Sequence, residues 1–333
     1  MEPASPIEPS IAPLPAPEVH PFEFRGSTAE YFRIWIVNVA LSILTLGVFS
    51  AWAKVRRERW FYGNTWVAGA PFEYLAKPIP ILKGRAIAVV VLAVYVGAGR
   101  FLPVAQGIVA ILVFLASPWL VYNSLRFRAR YSGWRSLNFG FVGSLKGAFA
   151  VYLWRFLALI PTLGLAFPWV RHGQTRYTVE GHRFGGNPLG FGATMGNFYR
   201  VYAKAGALGV VLVLAVSGAS AWVIGGITGL LRGMEPRTAQ MIGGFTMLGL
   251  VYGSLIAAWV LVTTRLMNLT FNSLAIAGHH FRSTLRARDV LGLYVTNTLA
   301  VLASAGLLVP WARVRMARYR ARHLTLLAAG PPD

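Results

Sequence analysis

Seven apolar runs, at about 31–52, 86–99, 101–122, 147–169, 206–231, 240–264 and 290–311, constrain this chain more than any other feature. A run of about 20 such residues spans the ~30 Å hydrocarbon layer of a bilayer as a helix. Composition agrees: 56% of the 333 residues are hydrophobic and 13% are charged. The expected fold is therefore an α-helical polytopic membrane protein. The second and third runs are parted only by GRFLP, and the fifth and sixth only by RGMEPRTA. Each of these pairs, about 86–122 and 206–264, reads as a transmembrane hairpin.

The other three runs are copies of one unit. With Trp52, Trp169 and Trp311 as anchors, the copies align without gaps. Gly47, Gly164 and Gly306 lie five residues before the anchors, and the hydroxyls of Thr45, Thr162 and Ser304 lie seven before. Asn38, Arg155 and Asn297 lie fourteen before, and Phe22, Phe139 and Phe281 thirty before. Lys54, Arg171 and Arg313 follow the anchors by two, and Arg59, Arg176 and Arg318 by seven. The chain is thus expected to hold a threefold internal repeat, with copies at about 22–74, 139–186 and 281–325, inside a membrane domain at 22–325.

Around the copies the texture changes. NTWVAGAPFEY at 64–74, TVEGHRFGG at 178–186, the stretch 123–141 and NSLAIAGHHF at 272–281 combine short alternation with Gly and Phe, which is the pattern of β-hairpins. Small cytoplasmic β-hairpins are expected beneath the helices, with a texture suited to pairing into one sheet or a barrel-like rim. Residues 1–21 are proline-rich and acidic, without the basic start and apolar core of a signal peptide, and read as a disordered tail; 326–333 read as a second tail.

Charge distribution sets the sidedness. The connections at 53–85, 123–146, 170–204 and 265–289 and the tail from 312 hold 26 of the 32 Lys and Arg residues. By the positive-inside rule all five of these stretches, including the C-terminus, are cytoplasmic. The two transmembrane hairpins obey this, but the fourth run then begins and ends on the same side. Two readings stay open. In one, the Trp-anchored runs re-enter, turning at Thr45/Gly47, Thr162/Gly164 and Ser304/Gly306, since glycine accepts φ > 0 and a hydroxyl caps freed backbone. In the other they are ordinary spans, the Thr and Gly serve helix packing, and the N-terminus is outside.

Chemistry is sparse. Arg155 lies mid-run, and an arginine there must pair, snorkel or face water. Glu30 and Asp289 lie twenty-two residues before their anchors, where copy two has Gly147. A polar centre formed by Arg155, Asn38 and Asn297, with Glu30 and Asp289 as acids, is the candidate site for conduction or ligand binding; hydrogen bonds that only fix packing are the alternative. Five of the 11 acids fall in the first 30 residues, leaving little material for acid–base catalysis. There is no nucleotide, hydrolase or zinc-protease motif, and adjacent His279 and His280 would point to opposite faces of a strand. No enzyme activity, cofactor or metal is expected.

The net charge of +21 is absorbed by topology and by anionic lipid, so membrane lipids rather than nucleic acid are the expected partners. Trp52, Trp169 and Trp311 with Lys54, Arg56, Arg57, Arg59, Arg171, Arg313 and Arg315 are the candidate interface and headgroup residues. FEFRGSTAEYF leading into NVALSILTLGVFSAWAKVRRERWFYGNTWVAGAPFEY resembles the YjgN family. That resemblance implies a bacterial, multi-pass inner-membrane protein and brings no established activity or substrate. Two functions follow as expectations: a transporter or channel-like protein working through the polar centre, or a scaffold whose basic cytoplasmic face binds anionic lipid or an acidic partner.

Overall fold

A computed structural model describes residues 18–230 and 235–330. The chain opens with β1 (Glu18–Pro21) and β2 (Glu23–Phe24), one extended run bent at Phe22, followed by α1 (Thr28–Leu44) and α2 (Ser50–Gly63). Next come β3 (Thr65–Val67), β4 (Ala70–Tyr74), α3 (Pro78–Phe101), α4 (Pro103–Arg130), β5 (Ser132–Trp134) and β6 (Leu137–Phe141). A short helical leg of α5 (Leu145–Phe149), a π-turn at Ala150–Trp154 and α6 (Arg155–Leu157) precedes α7 (Phe167–Gly181), β7 (His182–Phe184) and β8 (Asn187–Phe191). The chain ends with α8 (Met195–Leu230), α9 (Pro236–Asn272), β9 (Leu274–Ile276), β10 (His279–Ser283), α10 (Ala287–Ala303), α11 (Val309–Arg322) and β11 (Leu324–Ala328).

The strands form one antiparallel sheet in the order β1-β11-β10-β9-β8-β7-β6-β5-β4-β3-β2. Its two ends are the same piece of chain, because β1 pairs with β11 and β2 pairs with β3. The Phe22 amide also donates to Leu324 O at 3.0 Å, so the sheet wraps round on itself into a barrel whose seam is the β1–β2 run. Four of its hairpins turn in two residues: Ala68-Gly69, Arg135-Ser136, Gly185-Gly186 and Ala277-Gly278. Both turn residues have φ > 0 in every case, the backbone of a type I′ turn, whose twist matches that of the flanking strands.

Register faces one ring of large side chains inward. Phe72 pairs with Trp134, Phe139 with Phe184, Leu189 with Ile276 and Phe281 with Leu326. Carried one step, the β2–β3 register sets Phe22 opposite Val67. Phe22, Val67, Trp134 and Leu326 are buried, and this ring lines the inside of the barrel.

Five helical hairpins leave the barrel, one between each strand pair that lacks a tight turn. α1–α2, the α5-to-α7 segment and α10–α11 are short; α3–α4 and α8–α9 are long. Neighbouring hairpins touch through α2 and α3, α4 and α5, α7 and α8, α9 and α10, and finally α11 and α1. The helices therefore close into a ring above the sheet.

The seven-segment polytopic layout is overturned by this arrangement. Among the described residues, three helices are long and apolar enough to cross a membrane: Pro78–Phe101, Pro103–Arg130 and Gln240–Asn272. Each Trp-anchored run is the outgoing helical leg of a short hairpin, its reversal and the first three residues of the returning helix, which a hydropathy count does not detect because the reversal itself is built from apolar residues. The β-hairpins are parts of a single closed sheet. At the level of the fold the unit β–helical hairpin–β occurs five times, and the threefold sequence repeat marks only the three short versions. Residues 18–21 and 326–328, expected from sequence to be tail, form β1 and the end of β11, while 1–17 and 331–333 lie outside the described residues.

Candidate functional site

The site begins with how the short hairpins turn. At the end of α1, the Gly47 amide donates to Ser42 O at 2.7 Å and the Leu46 amide to Ile43 O at 3.1 Å. Gly164 and Leu163 repeat this pair of bonds to Leu159 and Ile160, and Gly306 and Ala305 repeat it to Val301 and Leu302. These are Schellman motifs, which satisfy the carbonyls a helix end leaves orphaned. The hydroxyls complete them: Thr45 Oγ1 donates to Leu41 O at 2.7 Å and accepts from the Phe49 amide at 2.9 Å. Thr162 and Ser304 make the corresponding bonds to the Ala166 and Leu308 amides, at 3.4 and 3.0 Å.

The left-handed positions are not all glycine. Leu46, Leu163 and Ala305 have φ of 49°, 49° and 48°. Leu46 is 96% exposed and Leu163 92% exposed, so a strained backbone presents an apolar side chain outward with no protein contact holding it. The apex is apolar outside and satisfied inside, which is what hydrocarbon requires of non-helical backbone.

The expected polar centre is divided among three hairpins. Asn38 donates to Ala53 O at 3.5 Å and accepts from Arg56 Nη1 at 3.3 Å. Asn297 donates to Ala312 O at 3.4 Å and accepts from Arg315 Nη1 at 3.0 Å, and that arginine also reaches Thr296 Oγ1 at 2.7 Å. Arg155 sits over the Trp169 ring at 4.7 Å and against Gly173. Among the described residues no hydrogen bond or ion pair joins Asn38, Arg155 and Asn297 to one another. Glu30 and Asp289 stand in the first turns of α1 and α10, where a carboxylate complements the helix dipole. Asp289 meets Arg288 at 3.4 Å and the Tyr319 hydroxyl at 3.5 Å; it is not a partner of Arg155.

Several candidate headgroup residues serve the fold. Arg59 donates to Ala76 O at 3.2 Å, Arg171 to Gln174 Oε1 at 3.0 Å and Arg313 to the Tyr31 hydroxyl at 3.1 Å. Trp52 stacks on Phe49 at 6.1 Å, and Trp311 lies under Arg315 at 5.1 Å.

Four cations do converge. Lys54, Arg57, Arg85 and Arg313 line one pocket of about 390 Å³ between α1, α2, α3 and α11, together with Tyr31, Asn38 and Ser50. No carboxylate lines it. Arg85 Nη1 donates to Ser50 Oγ beside the first apex, and Arg57 is held at 2.8 Å by Glu58, which is outside the lining. Lys54, Arg57 and Arg313 are visible in the sequence as basic residues just after a Trp anchor, whereas Arg85 precedes the second apolar run and reads there only as a topology charge. Nothing in the sequence shows that α11 closes against α1 and brings Arg313 to Arg85.

Comparisons with known proteins give the context. A family model described as bacterial protein of unknown function, DUF898, matches residues 19–333. The inner membrane protein YjgN of Escherichia coli K12 is 26% identical over 147 residues, 44% of this chain and 36% of that protein. Its Salmonella typhimurium counterpart is 27% identical over 151 residues, 43% of this chain and 35% of that protein. The matched region thus spans about a third of the length of these curated relatives. No solved structure matches.

Proposed function

The chain belongs to the bacterial DUF898 family, and from that premise we propose that it is a multi-pass inner-membrane scaffold that seats its barrel on the cytoplasmic face and holds anionic phospholipid headgroups in the basic pocket. The observation that carries this reading is the gathering of Lys54, Arg57, Arg85 and Arg313, without a lining carboxylate, beside an apolar apex. Phosphate oxygens accept from such a cluster, and the membrane surface supplies phosphate at this depth.

Topology supports it. Every helical excursion starts and ends on the barrel, which gives each hairpin an even number of crossings; the proposed arrangement assigns two to each long hairpin and none to the short ones. The stretches holding 26 of the 32 cations then lie on one side, as the positive-inside rule requires, and β1 and β11 lie there too. From Ser50, where α2 begins, to Lys54 is four residues, about 6 Å of helix, with only the apex turn beyond it, so an apex anchored by its cations reaches less than half of the ~30 Å core.

The test is lipid retention. The full chain, reconstituted in nanodiscs of mixed phosphatidylglycerol and phosphatidylcholine and released for native mass spectrometry, is expected to keep phosphatidylglycerol selectively. Arg85→Gln with Arg313→Gln is expected to lose that selectivity, as is the unchanged chain at high salt. Equal retention of both lipids, or selectivity unaltered in the double variant, refutes the proposal.

A further inference from the structure

The barrel is hollow. A cavity of about 700 Å³ runs from its tight-turn end, at Gly185, Asn187 and His279, to the ends of α2, α9 and α11 at the opposite rim. Its wall is the inward ring described above, continued on the helix side by Phe61, Met267 and Phe271. Small barrels either fill their interior with side chains or hold one ligand, and pockets for small molecules fall between about 300 and 1,000 Å³. Water finds too few partners along such a wall to fill it well.

The polar groups in the wall narrow the choice of occupant. Thr65 Oγ1 is used by Phe61 O at 2.8 Å and Ser283 Oγ by Asn268 Oδ1 at 2.7 Å, and His279 Nδ1 accepts from the Ala329 amide at 3.2 Å. Arg320, on the last turn of α11, is the cation of the lining, and no carboxylate accompanies it. Its guanidinium has no hydrogen bond or ion pair among the described residues, and it stands at the helix-side rim, the rim from which the membrane hairpins leave. An apolar tunnel with one unpaired cation at its membrane-facing end is complementary to a hydrocarbon chain carrying an anionic head.

We propose that the barrel lumen binds one acyl chain of a single-chain amphiphile, with its anionic oxygen headgroup on Arg320. The fatty acid and lysophospholipid forms share this chemistry. The site is separate from the basic pocket, so its failure leaves the headgroup reading standing, and the converse holds as well.

The probe is cis-parinarate, added to the purified full chain in amphipol. Energy transfer from Trp134 in the cavity wall reports entry, and oleate, oleoyl lysophosphatidylglycerol and oleyl alcohol serve as competitors. Saturable, equimolar binding is expected, with the transfer reduced in Trp134→Phe. Leu189→Phe, which fills the lumen, is expected to weaken parinarate binding at least tenfold while its thermal unfolding stays cooperative. Arg320→Gln is expected to weaken oleate several-fold and leave oleyl alcohol unchanged, and it decides alone if Leu189→Phe does not fold. The stronger of the two anionic competitors identifies the head. Non-saturable binding, or equal affinities in the parent chain and both variants, overturns the proposal.

Discussion

The guanidinium of Arg155 occupies the space that a side chain at Gly173 would take: a Cβ built on Gly173 overlaps Arg155 Nη1. Gly173 lies four residues after Trp169, and the same position in the other two short hairpins holds Arg56 and Arg315. Those arginines reach across to Asn38 and Asn297, the counterparts of Arg155. The cation is therefore present in all three hairpins, supplied by the returning helix twice and by the outgoing helix once.

This exchange predicts a coupling. Gly173→Ala is expected to destabilise the chain by about 1–3 kcal/mol through overpacking. Arg155→Asn combined with Gly173→Arg recreates the pairing of the other copies and is expected to recover much of what either single change loses, measured by thermal unfolding in a double-mutant cycle. Additive losses would show that the two positions act independently.

The apices predict a backbone effect without a contact effect. Gly47 has φ of +90° and nothing within 4 Å of an added Cβ. Gly47→Ala is expected to cost about 1–2 kcal/mol from the left-handed backbone alone, and Leu46→Gly to relieve strain at φ 49° while weakening the hold of the apex on lipid. The two effects separate by measuring unfolding in detergent and membrane retention after carbonate extraction.

Sidedness is checked by cysteine labelling, the parent chain being free of cysteine. Cysteines at the tight turns, Ser136→Cys and Ala277→Cys, are expected to react with an impermeant maleimide only from the cytoplasmic side, and Leu163→Cys from neither side. Labelling of Leu163→Cys from the periplasm would turn the short hairpins into spans.

His182 gives the barrel a pH dependence. Burial holds its imidazole below the ordinary value, with the Arg128 charge pushing the same way against the hydrogen bond to Thr178 O. The folded chain thus binds fewer protons than the unfolded chain between the lowered value and about 6.5, so stability is complete above about 6.5 and is lost as pH falls through that window. His182→Gln is expected to flatten this part of the unfolding profile, as read by thermal denaturation between pH 5 and pH 8.

The repeat, the turn residues and the hairpin strands were legible because each is a local signal: a spacing, a glycine, an alternation. Ring closure was not. Nothing near Glu18 announces that it will pair with Ala328, and nothing near Arg313 announces Tyr31. The long hairpins also hid their kinship with the short ones, because their added apolar length dominates any comparison of sequence. Arg155 drew attention as an isolated charge, and its explanation lies in a glycine eighteen residues on, which carries no charge to notice.

The meeting of β1 with β11 makes the order of the five units arbitrary to the finished fold. A chain joined from Ala328 to Glu18 by a short linker and opened at Arg135–Ser136 would present the same strands to the same neighbours. During synthesis the order is not arbitrary. β1 waits without its partner until the ribosome has delivered β11, so all five helical hairpins emerge while the sheet is still an open ribbon, and β11 acts as the clasp.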